Sequence, residues 1–318
     1  MQLPTIDDLR AAREHVYAAL RPTPLIRHPL LAERLGADVW VKHENHNPTG
    51  AFKIRGGLNL VAQLTPDERR RGVVSASTGN HGQSIAFACR VHGIPCRIVV
   101  PVGNNPDKSA AIRALGAELI EHGRDFDEAR EEVERRAPIE GWRYVHSANE
   151  PLLIAGVGTY ALEIFEELPD VDTIFVPIGG GSGASGCCIV RSALGRRATV
   201  IGVQAAGADA FARSWRGPER IAIEQVRTFA DGMATRVTYD LPFSILKDRL
   251  DDVVTLDEEE LKDGVRAALR LTHNLAEGAG AAPLAAAYSC RQAIAGRKVV
   301  SVMSGGNIDT RTLRHLIS

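Results

Sequence analysis

Lys53 lies in Pro48-Thr49-Gly50-Ala51-Phe52-Lys53-Ile54-Arg55-Gly56-Gly57, with turn-forming residues before it and glycines after it. A lysine held in a loop among apolar residues and other cations has its pKa lowered, and a neutral amine is both nucleophile and base. A solvated surface charge is the ordinary fate of a lysine, so the weight comes from three further segments. Pro177-Ile178-Gly179-Gly180-Gly181-Ser182-Gly183-Ala184-Ser185-Gly186 carries five glycines, where a tight strand-to-helix turn needs about one or two. Backbone N–H groups in such a run converge on one point, and a helix opening near Gly183 adds its dipole, so a phosphate is the natural occupant. The spacing is neither that of a P-loop nor that of a dinucleotide fingerprint. Ser75-Ala76-Ser77-Thr78-Gly79-Asn80-His81-Gly82-Gln83 offers hydroxyls and N–H donors to a carboxylate. It serves equally well as the N-cap of a helix over Ser84–Val91, and spacing alone does not choose. In Ser301-Val302-Met303-Ser304-Gly305-Gly306-Asn307-Ile308-Asp309, Ser304 leaves a strand at its C-terminal end, either as a ligand-facing hydroxyl or as part of an ordinary polar turn.

Each of the three follows an apolar run, which makes the placement of strands the next question. Strands are expected at Val39–Lys42, Val73–Ala76, Arg97–Val100, Glu118–Ile120, Thr173–Val176, Val200–Val203 and Val299–Met303, alternating with helical patterns as in a parallel α/β sheet. Thr65-Pro66-Asp67-Glu68 and Thr255-Leu256-Asp257-Glu258 read as capping boxes, the second opening a helix with Leu261, Val265, Leu269 and Thr272 on one stripe. The strands fall in two blocks, at about residues 40–145 and from about 172 onward, consistent with two open sheets and a ligand cleft beyond their carboxyl ends. One continuous sheet is the alternative.

The 318 residues suffice for one large or two ordinary domains. With 44% hydrophobic and 24% charged residues the chain has a soluble globular composition, and a formal charge of −1 supplies no field for nucleic acid. No run approaches ~18 apolar residues, and Met1-Gln2-Leu3-Pro4-Thr5 lacks the basic start and apolar stretch of a secretory signal. A cytoplasmic enzyme with no membrane or nucleic-acid partner is expected. Five cysteines, an odd number without a C-x-x-C pair, fit that compartment, and Cys187 and Cys188 are expected to pack in a helix after the glycine run.

A reactive lysine, a phosphate cradle, a carboxylate-binding turn and a single hydroxyl are the parts an amino-acid enzyme using pyridoxal phosphate requires. Asn47–Gly56, Ser77–Gln83, Gly179–Gly186, Ala230-Asp231-Gly232 and Ser304-Gly305-Gly306-Asn307, in that order over nearly the whole chain, resemble the threonine/serine dehydratase and serine racemase family of fold type II (tryptophan synthase β-like). The resemblance implies an α/β fold of two open, mostly parallel sheet domains with pyridoxal 5'-phosphate between them, residues 1–45 and 147–318 forming the large domain and 46–146 the small one. It implies Lys53 as the Schiff-base lysine and general base, with Phe52 against the cofactor ring and Asn80 on its phenolic oxygen. Gly179, Gly180, Gly181 and Ser182 match the phosphate loop, Gly232 a backbone contact near the ring, and Ser304 the partner of the ring nitrogen. Ser77, Thr78, Gly79, Asn80 and His81 match the loop that holds the substrate α-carboxylate, and Ala148 lies where relatives shape the side-chain end of the pocket.

The reaction implied is β-elimination from a β-hydroxy-L-amino acid of the threonine, serine, phenylserine or 3-hydroxyaspartate type, giving a 2-oxo acid and ammonia. A neutral Ser304 at the ring nitrogen favours prompt loss of a β-leaving group. Thr78 stands where racemases of the family place a serine base; it keeps a hydroxyl but is stiffer at χ1. Racemisation or β-replacement on the same cofactor is therefore the alternative, and a non-catalytic pyridoxal-phosphate-binding protein a third reading. Metal-binding members carry two carboxylates where Gln204 and Ala210 stand here, with Ala208 between, so no divalent metal is expected. Arg124 aligns loosely with an arginine that meets a second substrate carboxylate, its ordinary reading being a surface charge before a helix over Phe126–Arg136. A homodimer or higher homo-oligomer is implied.

Overall fold

The computed structural model describes residues 2–317. Ten strands form two sheets: β1 Leu25–Arg27, β2 Asp38–His43, β3 Val73–Ala76, β4 Cys96–Val100, β5 Glu118–Glu121, β6 Arg143–Tyr144, β7 Thr173–Pro177, β8 Thr199–Ala205, β9 Asp252–Leu256 and β10 Lys298–Met303. Six of them run in the order β1-β2-β10-β7-β8-β9 and four in the order β5-β4-β3-β6. Every pairing is parallel except that of β1 with β2. The seven expected strands are all present, within a residue or two at their ends. Their apolar runs are buried because helices cover both faces, as parallel sheets require.

The grouping of strands differs from the two sequence blocks. β2 pairs with β10, from Lys298↔Asp38 to Met303↔His43, and so joins the six-stranded sheet built mostly by the C-terminal half. Three strands escaped sequence reading. β1 and β6 are short edge strands of three and two residues. β9 overlaps Thr255-Leu256, which the sequence assigned to a helix cap; here Gln204↔Thr255 and Ala205↔Leu256 pair in the sheet. The cap is Asp257, whose side chain accepts from Glu260 N, and the buried stripe of the helix runs through Leu261, Val265, Ala268 and Thr272. Sheet bonding fixed the Thr255 backbone, leaving the next acceptor to cap. Thr65 caps as expected, accepting from Glu68 N and receiving Glu68's carboxylate on its own N–H.

Helix Lys53–Ala62 starts at the candidate lysine and packs between helices Asn80–His92 and Pro151–Val157. The approach is close: a Cβ on Gly57 would lie 2.4 Å from Ser84 Oγ, and one on Gly56 2.8 Å from the Leu153 carbonyl. Arg55, fully buried on this helix, donates to both oxygens of Glu44 and both of Glu163. Lys42 completes the network on Glu163 at 2.5 Å. The lysine-bearing helix is thus tied to the end of β2 by a four-charge buried cluster. Cys187 and Cys188 are buried in helix Ser182–Ala193 beside Tyr160 and Val176, as expected of small apolar residues.

Candidate active site

The three chemistry-bearing segments meet where strands end. β7 delivers the glycine run, β3 the Ser75–Gln83 turn and β10 the Ser304 turn, and all three border one cavity of about 750 Å³. Lys53, Phe52, Ser77, Thr78, Gly79, Asn80, His81, Gly179, Gly180, Gly181, Ser182, Gly232 and Ser304 all lie in its wall. Ala148 does not: it is buried behind Gly180, 3.3 Å from where a Cβ on that glycine would sit, and Ser147 takes the place in the wall. Arg124 is also elsewhere, on the surface with Glu128.

The segments are fastened to one another. Phe52 N donates to Ser304 O at 3.0 Å, Gly306 N donates to Gly50 O at 2.8 Å, and Ala51 bridges Gly305. Lys53 therefore cannot shift without Ser304. Its Nζ donates to Ser182 Oγ at 3.1 Å, which sets the amine over the start of helix Ser182–Ala193. Burial lowers the Lys53 pKa to about 8, because the interior solvates the ammonium poorly.

The glycine run is shaped as an anion cradle. Gly181 caps the helix with φ +88°, the left-handed region that favours glycine, and no side chain caps the first-turn N–H groups. A Cβ on Gly179 would sit 2.0 Å from the Gly232 carbonyl, backbone against backbone. With the dipole of a 12-residue helix behind them, the open N–H groups suit a phosphate.

The second turn serves both readings the sequence left open. Helix Asn80–His92 does begin there, and its cap residue, Gly79, has no side chain to offer. Ser77 Oγ instead accepts from Gly79 N at 3.1 Å and Gly82 N at 2.8 Å, which leaves its own hydrogen free to donate. The orphan N–H groups of the first turn and this hydroxyl together suit a carboxylate. His81 contributes by its backbone. Its Nε2 lies 2.9 Å from Ser75 Oγ, which donates to Val145 O at 2.7 Å and so receives the ring proton. Burial, and then the nearby Lys53 charge, push the His81 pKa down to about 3, so the ring stays neutral.

Two residues outside the expected set hold Asn80. Asn307 Nδ2 donates to Asn80 Oδ1 at 2.7 Å, and Asn80 Nδ2 donates to Glu277 Oε1 at 2.6 Å. The amide is fixed in one orientation with one N–H left for a ligand. Burial raises the Glu277 pKa. Gln204 Oε1 accepts from Ala212 N at 2.8 Å, a structural bond, and among the described residues no group of three His, Cys, Asp or Glu is arranged to hold a metal.

A sequence model of the family described as "Pyridoxal-phosphate dependent enzyme" matches residues 16–305. The chain is 39% identical to an L-threonine ammonia-lyase of Thermotoga maritima, over 99% of this chain and 78% of that protein. It is 32% identical to an L-threo-3-hydroxyaspartate ammonia-lyase of Saccharomyces cerevisiae, over 100% of this chain and 98% of that one. Among solved structures, maize serine racemase superimposes with a TM-score of 0.94 at 29% identity, covering 99% of this chain and 97% of that chain.

Proposed function

The chain belongs to the pyridoxal-phosphate dependent enzyme family, and we propose that it is a dehydratase removing water from a β-hydroxy-L-amino acid to give a 2-oxo acid and ammonia. The observation that carries this reading is the Lys53 amine, lowered to a pKa of about 8 and set 3.1 Å from Ser182 at the mouth of the glycine cradle. Pyridoxal 5'-phosphate is the cofactor, and the residues present fit it: the cradle admits no Cβ at Gly179, and uncapped helix N–H groups face the place a phosphate takes. When bound, the cofactor supplies an electrophilic carbon for the amines and draws electrons from the substrate α-carbon.

Gly179, Gly180, Gly181 and Ser182 would hold its phosphate, Phe52 its ring face, Asn80 its phenolic oxygen, Gly232 the ring edge and Ser304 its ring nitrogen. The Ser77 hydroxyl and the N–H groups of Thr78, Asn80 and His81, with Gly79 as the bend between them, form the turn that orients the substrate carboxylate. Lys53 Nζ takes the proton from the α-carbon, and its depressed pKa keeps a useful fraction of the amine neutral near pH 7. The α-proton and the β-hydroxyl leave as the elements of water, and uptake of a water then gives the 2-oxo acid and ammonium. Asn307 and Glu277 position Asn80.

Residues 1–45 and 147–318 as a large domain and 46–146 as a small one complete the reading; the four-stranded sheet lies wholly between residues 73 and 144. A cytoplasmic homo-oligomer is the setting proposed, the compartment supported by five unpaired cysteines. No described helix is long and apolar enough to cross a membrane. Ammonia and 2-oxo acid release from L-serine, L-threonine, L-phenylserine and L-threo-3-hydroxyaspartate, by the holoenzyme and by Lys53→Ala, tests the proposal. Release from at least one substrate that Lys53→Ala abolishes is expected; inversion of substrate configuration without release would replace dehydration with racemisation.

A further inference from the structure

Besides Lys53, the cavity wall carries two cations, Lys108 and Arg236, and a larger number of carboxylates. Neither cation is free. Lys108 Nζ donates to Asp231 Oδ2 at 2.6 Å. Arg236 Nε donates to Asp127 Oδ2 at 2.7 Å, its Nη2 joins the same oxygen, and Asp125 stands 4.0 Å away. Asp127 is in the first turn of helix Phe126–Glu140, three residues after the outward-facing Arg124, so this stretch brings the cavity a carboxylate where the sequence had offered an arginine. The pair adjoins the cradle through Tyr239, whose ring lies 3.9 Å from where a Cβ on Gly180 would sit and meets His146 edge-on at 5.3 Å. Burial, and next the Asp127 charge, raise the Tyr239 pKa to about 12, which keeps this face neutral. Phe126 adds an apolar surface to the same wall.

We propose that Asp127 is a specificity-determining residue: by holding Arg236 it denies the site a cation for a second carboxylate, so the substrate is a β-hydroxy amino acid with a neutral side chain. The inference rests on the dehydratase reading. A dicarboxylic substrate would bring its second charge against Asp127 and Asp125, and rejection by like charge is an effective source of selectivity. Neutral and aryl side chains meet Phe126 and Tyr239 instead.

The test is kinetic and gains a function rather than losing one. Wild-type holoenzyme is expected to favour L-threonine or L-phenylserine over L-threo-3-hydroxyaspartate by about a hundredfold in kcat/KM, the scale of an uncompensated charge in a partly buried site. Asp127→Asn keeps the side-chain shape and releases Arg236, and should move that ratio toward 3-hydroxyaspartate about tenfold or more, a charge-assisted bond's worth. Calorimetric binding of L-aspartate, which has no hydroxyl to eliminate, should tighten in parallel. The double variant Asp127→Asn with Arg236→Gln should lose both gains. A wild-type preference for 3-hydroxyaspartate, no shift in Asp127→Asn, or a gain that survives in the double variant overturns the assignment. Inactivity of the wild type toward every β-hydroxy amino acid would remove the dehydratase reading itself, and the inference with it.

Discussion

Arg55→Met removes the cation at the centre of the buried network beneath Lys53. Arg55 is 0% exposed, and its bonds reach Glu44 at 2.8 and 2.9 Å, Glu163 at 2.6 and 3.0 Å, Thr159 at 3.0 Å and Thr23 at 3.3 Å. Without it, Lys42 still pairs with Glu163, and buried Glu44 is left without its cation. Stripping one partner from a buried ion cluster costs about 3–5 kcal/mol, because the remaining charge has lost its compensation. Unfolding entropy of about 2.1 cal/mol/K per residue gives about 0.7 kcal/mol per kelvin for 318 residues, so Tm should fall by roughly 4–8 °C. Calorimetry of the cofactor-free protein reads this directly. The double variant Arg55→Met, Glu44→Gln removes one charge of each sign and leaves Lys42 paired with Glu163, so it should regain most of the loss. A single variant that costs under about 1 kcal/mol, or a double variant no more stable than the single, would refute the electrostatic reasoning. Because Arg55 sits two residues after Lys53 on the same helix, kcat should fall as well.

Further expectations follow from the site and its surroundings. Lys53 titrates at about 8 in the fold against an ordinary 10.5, so between those values the unfolded chain binds more protons and stability of the cofactor-free protein rises with pH. Lys53→Met should flatten that rise in urea titrations at pH 8 and 10; an unchanged slope would contradict the lowered pKa. Gly179→Ala places a Cβ 2.0 Å from the Gly232 carbonyl, so the variant should fold but retain little cofactor after dialysis, whereas full retention would disprove the cradle. His43 is fully buried, 3.0 Å from His28, and burial, then His46 and His28, lower its pKa to about 4. Stability is therefore lost as pH falls from about 6.5 toward 4, where the unfolded chain takes up the proton and the fold does not, by on the order of 3 kcal/mol from this group. His43→Leu should make acid unfolding shallower over that range, and an identical acid profile would speak against it.

The fold class was legible because its central strands are short, apolar and separated by helical periods, and the site because its motifs carry more glycine and hydroxyl than turns need. What escaped was held by pairs distant in sequence. Glu277 is 197 residues from Asn80, Asn307 is 227 from it, and Arg236 is 109 from Asp127. Spacing cannot reveal such partners, although Asn307 lay inside a motif and Glu277 opens the Glu-Gly-Ala-Gly run that brings Gly280 against Gly305, where a Cβ would lie 2.0 Å from the carbonyl. Arg124 is the surface charge its ordinary reading made it, and Asp127 takes the cavity side, because a helix start fixes where the chain goes but not which side chain of the first turn faces the ligand. Ala148 misled for a like reason, one residue past Ser147. β9 was lost to a plausible capping box because pairing with β8 is a tertiary fact.

That Lys53 is the amine holding the cofactor is tested most directly by reducing the holoenzyme with borohydride, digesting it and locating the phosphopyridoxyl group by mass spectrometry. The label is expected on the peptide containing Lys53 and on no other, and it should be missing from Lys53→Ala. A label on another lysine, or none on protein that had bound the cofactor stoichiometrically, would contradict the assignment of this site.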